Sequence, residues 1–135
     1  MSTRRSLLRE MYLAGDAGQL ELFNELLHDD VVVHAPFGLS TMGLGAEKAS
    51  WQQALATMHD LRHELLAVLI DDEMESARCV VTGTLRGTYG GVTGNAQPFV
   101  IDQAVFARLR DGKIAELWEM VDTEALLRQM REPES

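Results

Sequence analysis

Apolar residues recur at helical spacing near the start of the chain. Leu7, Leu8, Met11 and Tyr12, with charges between them, predict an amphipathic helix over residues 3–14. Gly15 is placed to end it. Asp16 is a good cap for a second helix carrying Leu20, Leu22, Phe23, Leu26 and Leu27, closed by His28, Asp29 and Asp30. The β-branched run Val31, Val32, Val33 opens a strand that Pro36 and Gly38 break. A loop over 37–44 leads to a third helix at 46–58, with Trp51, Leu55 and Met58 on one side.

From residue 61 the pattern changes to extended segments. Strands are predicted at 61–70, 77–88, 99–110 and 113–121. Asp71, Asp72 and Glu73 make the first turn, and Asp111-Gly112 makes a tight hairpin. Gly87, Gly90, Gly91 and Gly94 mark a loop or wide hairpin between the middle strands. A short helix over 123–130, capped by Asp122 or Thr123, closes the chain, and residues 132–135 are expected to fray. Helices placed before a strand meander indicate an α+β fold with an antiparallel sheet. The length of 135 residues fits a single domain, 1–135, with an ordered core of about 7–130.

Charge narrows the partners. Twelve Lys and Arg stand against 21 Asp and Glu, a formal charge of -9. That balance argues against nucleic acid and against an anionic membrane surface. No apolar run approaches the ~18 residues of a membrane span. Arg4 and Arg5 lead into an amphipathic stretch, unlike a secretory leader, so the expected location is cytoplasmic. The one cysteine, Cys79, lies beside Val80 and Val81 and reads as a small buried hydrophobe.

Candidate chemistry is sparse. Strict alternation along the last strand puts Ile114, Glu116, Trp118, Met120 and Asp122 on one side. A carboxylate beside Trp118 and Met120 would be desolvated, and Asp122 is therefore a candidate acid or base as well as a candidate helix cap. His34, at the end of a strand and just before Pro36, is a second candidate. His59 and His63 flank the junction of the third helix and the next strand. On the neighbouring strand Ile101, Gln103, Val105 and Leu109 form the more apolar face, which favours Gln103 over Asp102 as a polar group inside, although alternation alone leaves both open. Trp51, Trp118, Met42, Met58, Met120, Phe37 and Tyr89 are candidate pocket or core residues. The histidines show no metal-ligand spacing, and no phosphate loop, nucleophile elbow or dinucleotide fingerprint is present. A mechanism without metal or cofactor is the expectation.

Three words in the sequence carry a family resemblance: His34-Ala35-Pro36 after a short strand, Gly87-Thr88-Tyr89-Gly90-Gly91 closing a long one, and Arg110 to Trp118 leading to Asp122 and a final helix with Leu127 and Gln129. In order and spacing the chain resembles the nuclear transport factor 2-like superfamily, and within it the SnoaL-like polyketide cyclases. The resemblance implies a cone: a curved antiparallel sheet wrapped around N-terminal helices, with an internal pocket. It implies a cofactor-independent cyclase or isomerase that moves protons on a small apolar carbonyl, enol or epoxide compound. The Asp at the position of Asp122 would then exchange protons with substrate, His34 would assist, and Trp118, Gln103, Asp102, Trp51, Met120, Phe37 and Tyr89 would contact it. A non-catalytic small-molecule-binding or dimerisation module is the alternative on the same fold. A homodimer is expected, paired through the convex face of the sheet, with Leu85 among the apolar strand residues available for it. Two departures argue against anthracycline-type cyclisation: the C-terminal strands hold no histidine, and Asn95-Ala96-Gln97-Pro98 follows the glycine loop.

Overall fold

The computed structural model describes residues 4–131. The expected fraying of 132–135, and the first residue of the helix predicted from residue 3, lie outside them.

Helix α1 spans Leu7–Asp16. Its apolar stripe, Leu8, Met11, Tyr12 and Gly15, is buried, as the 3.6 period requires. Ser6 caps it, its hydroxyl accepting from the Arg9 N–H at 3.0 Å. A buried carboxylate from the sheet strengthens this end. Glu75 accepts from the Ser6 hydroxyl at 2.8 Å, from the Leu7 N–H at 2.9 Å and from the Leu8 N–H at 3.1 Å, and pairs with Arg4. A negative group at a helix N-terminus meets both unsatisfied N–H donors and the positive end of the dipole. Glu75→Gln keeps the shape but loses the charge and one acceptor. It should cost about 2 kcal/mol, the usual contribution of a charge-assisted hydrogen bond, read as a lowered melting temperature; an unchanged melting temperature would show that the carboxylate adds nothing to the helix end.

A 3-10 turn at Leu20–Leu22 runs into a short helix α2, Phe23–Leu26, and directly into strand β1, Leu27–His34. The strand thus starts four residues before the valine run. Leu27 is fully buried and pairs with Ile114, so tertiary pairing overrides the helical spacing of Leu26 and Leu27. Asp16 is the last residue of α1 rather than a cap of the next helix; its carboxylate has another use, described below. Strand β2, Thr41–Met42, lies in the following loop, and α3 spans Leu44–Thr57.

Four long strands follow: β3 Met58–Ile70, β4 Met74–Leu85, β7 Pro98–Arg110 and β8 Lys113–Val121. The glycine-rich segment folds into a small hairpin of its own, β5 Thr88–Tyr89 and β6 Val92–Thr93. Helix α4, Thr123–Arg131, ends the described chain. The main sheet has the order β2-β1-β8-β7-β4-β3. All its pairings are antiparallel except β1 with β8, which run parallel; the meander itself gives no hint of that return to the first strand. The fold is α+β, with a curved sheet around the N-terminal helices.

Bulges in β3 and at the β7–β8 pairing bend the sheet and re-aim side chains. The one in β8 matters most. Arg108 pairs with Glu116 and Leu109 with Ile114, so Ala115 is an extra residue. Ile114, Ala115 and Leu117 are all buried. Beyond the bulge Leu117, Glu119 and Val121 face inward, while Glu116, Trp118 and Met120 face out. The strict alternation that joined Ile114 to Trp118 and Met120 does not survive a one-residue insertion, which flips every later side chain.

Two buried clusters fill the interior. One packs α1 and α2 against β1, β7 and β8 through Leu8, Met11, Phe23, Leu27, Val31, Val105 and Leu117. The other, Val81, Leu85, Val92, Phe99, Ile101 and Ala125, lies under the hairpin and α4. Leu85 is 2% exposed and belongs to this inner cluster, not to the convex face. The apolar residues that the convex face does expose include Val100, Phe106 and Met120. Among the described residues no helix is long and apolar enough to cross a membrane.

Candidate active site

Between the second cluster and α3 lies a cavity of about 140 Å³. That is close to the ~150 Å³ of an apolar cavity known to take up benzene, so its scale is that of a one- or two-ring compound. Its walls are largely apolar: Phe37, Leu39, Trp51, Met58, Leu61, Val81, Leu85, Phe99, Ile101 and Leu126. Its polar lining comprises Glu47, Ser50, His63, Tyr89, Gln103 and Glu119, and includes no Lys or Arg.

Glu119 is set by β8. Its Oε2 accepts from the Tyr12 hydroxyl at 2.6 Å and from the Gln103 amide at 3.3 Å. The same amide donates to the Tyr12 oxygen at 3.0 Å. Two residues from two elements, Tyr12 of α1 and Gln103 of β7, thus fix one carboxylate oxygen. Among the described residues every fully buried side-chain nitrogen and oxygen has a partner. Oε1 has none and is therefore not fully buried, and Glu119 lines the cavity. Burial raises the Glu119 pKa, opposed by the Tyr12 hydrogen bond, by His63 and by Gln103. Burial and the charge of Glu119 hold the Tyr12 phenol well above its ordinary value, so it remains a donor.

Glu47 is the second carboxylate. It lies in the first turn of α3, on the stripe Leu44, Glu47, Trp51 and Ala54 that the helix buries. The Thr41 hydroxyl donates to its Oε1 at 2.7 Å. Burial, and then the charge of Glu119, push its pKa up to about 7, against smaller opposing contributions from Thr41 and Trp51. Two carboxylates in one apolar pocket cannot both ionise cheaply, and such a pair supplies a base and an acid together.

His63, on β3, forms the third polar wall. The end of α1 holds it: Asp16 accepts from the His63 backbone N–H at 2.6 Å and meets Nδ1 at 2.8 Å. The imidazole stacks on Tyr12 at 4.5 Å between centroids and lies 5.5 Å from the Trp51 ring. Gly15 makes room for this packing, since a Cβ there would sit 2.6 Å from the Trp51 ring.

Of the sequence candidates, Trp51, Phe37, Tyr89 and Gln103 line the cavity. Gln103, rather than Asp102, faces inward; Asp102 is exposed and 3.7 Å from Arg78. Asp122 lies outside the cavity. It is exposed, follows β8, and its Oδ1 accepts from the Ala125 N–H at 3.0 Å as the cap of α4. His34 and Trp118, neighbours in the parallel pairing, stack on each other at 5.4 Å on the outer face, where His34 also meets Glu116 at 2.7 Å. Met120, 51% exposed, joins them around a shallow outer groove. Met58 lines the cavity, whereas Met42 is exposed. Cys79 is buried, and burial pushes its thiol up to about 11.

Tyr12, Asp16, Glu47 and Glu119 escaped the sequence reading. Glu47 was within reach of it, as a carboxylate on the apolar stripe of α3, and Glu119 alternates with Leu117 and Val121. Nothing in the sequence joins Asp16 to His63. Among the described residues no three His, Cys, Asp or Glu side chains converge as a metal site would require.

The same fold recurs among solved structures. TsrD from Streptomyces laurentii superposes with a TM-score of 0.83 at 21% identity, covering 93% of this chain and 92% of its own. IdmH from Streptomyces antibioticus gives 0.78 at 26% identity, over 91% and 94%. A SnoaL-like polyketide cyclase from Agrobacterium tumefaciens gives 0.78 at 22%, over 93% and 98%. No relative is found among curated proteins. The family model described as SnoaL-like polyketide cyclase matches residues 6–130, nearly the whole chain. The chain belongs to the SnoaL-like polyketide cyclase family.

Proposed function

We propose that the protein is a cofactor-independent proton-transfer enzyme of the cyclase or isomerase kind, acting on a small, largely apolar carbonyl or enol compound, with Glu119 as the base. The observation that carries this reading is that Glu119 lines an apolar cavity with Oε1 without a protein partner while Tyr12 and Gln103 hold Oε2. Family membership supports it, as does IdmH, which is described as a proposed polyketide cyclase.

The chemistry follows from the two carboxylates. Glu119 takes a proton from the carbon next to a carbonyl. The C–H electron pair becomes the C=C bond of the enol, and the carbonyl oxygen takes a proton from the carboxylic acid form of Glu47. Glu119 is then neutral and Glu47 ionised, so the pocket carries one negative charge throughout and no separated charge forms in an apolar site. The apolar walls exclude water and keep the carboxylates reactive. Without a cation in the lining, nothing favours a substrate bearing its own carboxylate near this end of the pocket.

The first step can be measured without knowing the natural substrate. 2-Tetralone, a two-ring ketone of suitable size, should exchange its α-hydrogens in D₂O faster with the protein than in buffer, followed by ¹H NMR. A rate equal to that of buffer for tetralone and for a panel of similar ketones would leave the non-catalytic binding module as the reading.

A further inference from the structure

The geometry points to a second catalytic residue: His63, held by Asp16, is a base working in the same cavity from strand β3. The inference rests on the proton-transfer reading above and extends it from one base to two.

Three observations lead to it. Asp16 is bound at both oxygens by one residue, receiving the His63 backbone N–H on Oδ2 and facing Nδ1 with Oδ1. An ionised carboxylate accepts only, so Nδ1 carries a hydrogen, and in the neutral ring Nε2 keeps its lone pair. Second, Nε2 has no protein partner, and among the described residues no fully buried side-chain nitrogen is left unpaired. Nε2 is therefore accessible, and the cavity is the space that His63 lines. Third, the ring is clamped: Tyr12 stacks on it, Trp51 lies against it, and its side chain is only 9% exposed. An oriented carboxylate, a fixed imidazole and an open Nε2 are the parts of an activated base. Bulging of β3 puts it there. The register shifts between His59 and Arg62, around Asp60 with its positive φ of 55°, and the inward side then falls on Leu61 and His63.

A pocket with two bases on different strands can remove a proton at one carbon and return one at another while the compound stays put. His63 Nε2 takes a C–H proton and becomes imidazolium, paired with Asp16. The electron pair moves into the new C=C bond, and the far end of the conjugated system takes the proton that Glu119 gained in the enolisation step, which returns Glu119 to its ionised form. The C–H bond breaks at one end, a new C–H or O–H bond forms at the other, and no oxidant or reductant is needed.

The test uses His63→Ala and His63→Gln beside Glu119→Gln, with 2-tetralone exchange in D₂O as readout and melting curves to confirm folding. His63→Ala should exchange about 10²–10⁴ more slowly than the native protein at the α-carbon that His63 serves, the usual cost of losing a general base, while the α-carbon served by Glu119 keeps its rate. Added imidazole should restore exchange to His63→Ala in proportion to its concentration, and leave His63→Gln, whose side chain fills the space, unrescued. A merely structural histidine would show no such rescue. Full exchange by folded His63→Ala, with Glu119→Gln inactive, would overturn the inference and leave the Glu119 reading standing. Exchange at the buffer rate by the native protein would remove both. Independently, ¹⁵N NMR of the native protein at neutral pH should show His63 with hydrogen on Nδ1 and a bare Nε2. A ring with its hydrogen on Nε2 would overturn the inference alone.

Discussion

Glu119→Gln is expected to slow ketone exchange by about 10²–10⁴ while leaving the protein folded, the range for losing a general acid or base. Gln has nearly the shape of Glu, and its carbonyl oxygen can still accept from the Tyr12 hydroxyl that now sits 2.6 Å from Oε2. It cannot take a proton. Burial already works against the ionised form of Glu119, so a neutral amide removes an unfavourable charge and should not lower the melting temperature at neutral pH. Loss of rate without loss of stability therefore separates chemistry from packing. A second signature follows from the neighbour. The charge of Glu119 is one of the two causes that raise Glu47, so in the Gln variant the Glu47 titration should move down. Asp122→Asn provides the contrast: Asn caps a helix as well as Asp does, and residue 122 lies outside the cavity. Its exchange rate should match the native one. A normal rate in folded Glu119→Gln, with loss in Asp122→Asn, would move the chemistry to the sheet edge and sink the assignment of Glu119.

The fold was legible because its signals are local. Helical spacing in α1, the Asp111-Gly112 hairpin and the β-branched runs each act within a few residues, and their order gave an α+β meander. What the sequence could not show is where alternation breaks. Trp118 and Met120 are apolar, and apolar side chains are expected inside, so their face of β8 looked like the inner one. The bulge at Ala115 and the parallel pairing with β1 turn that face outward and bring Glu119 in. Hydrophobicity cannot find an inward carboxylate, because its partners, Tyr12 and Gln103, stand 107 and 16 residues away in the chain. The Asp16–His63 pair is separated by 47 residues, among them helices α2 and α3 and strands β1 and β2, so only tertiary structure reveals it. Gln103 was recoverable for the opposite reason: β7 keeps its alternation through residues 99–107, and the apolar neighbours Ile101 and Val105 mark its side.

The pH dependence of stability offers a measurement independent of any substrate. Glu47 titrates near 7 in the folded protein against 4.5 for the ordinary side chain, chiefly because burial disfavours its charge. The folded state thus binds this proton more tightly than the unfolded chain does. The stabilisation is full below pH 4.5 and is lost as pH rises through 7, where the native protein must hold a buried charge. At 1.36 kcal/mol per pH unit the loss is about 3 kcal/mol. Glu47→Gln has no charge to bury at any pH, and its side-chain oxygen can still accept from Thr41. The variant should match the native protein at pH 4 and exceed it by about 3 kcal/mol at pH 8. For a chain of this size that is roughly 10 °C in melting temperature. Carboxylates whose pKa is lowered, Asp30, Asp71 and Glu116, act in the opposite sense. They are present in both proteins and cancel in the difference. A gap in melting temperature that is the same at pH 4 and pH 8 would mean that Glu47 is not the titrating group. A gap that opens between those values, together with slower ketone exchange in the Gln variant, would show that the residue which supplies the proton is also the one that destabilises the fold at neutral pH. That is the trade expected where a polar group is kept in an apolar pocket for its reactivity.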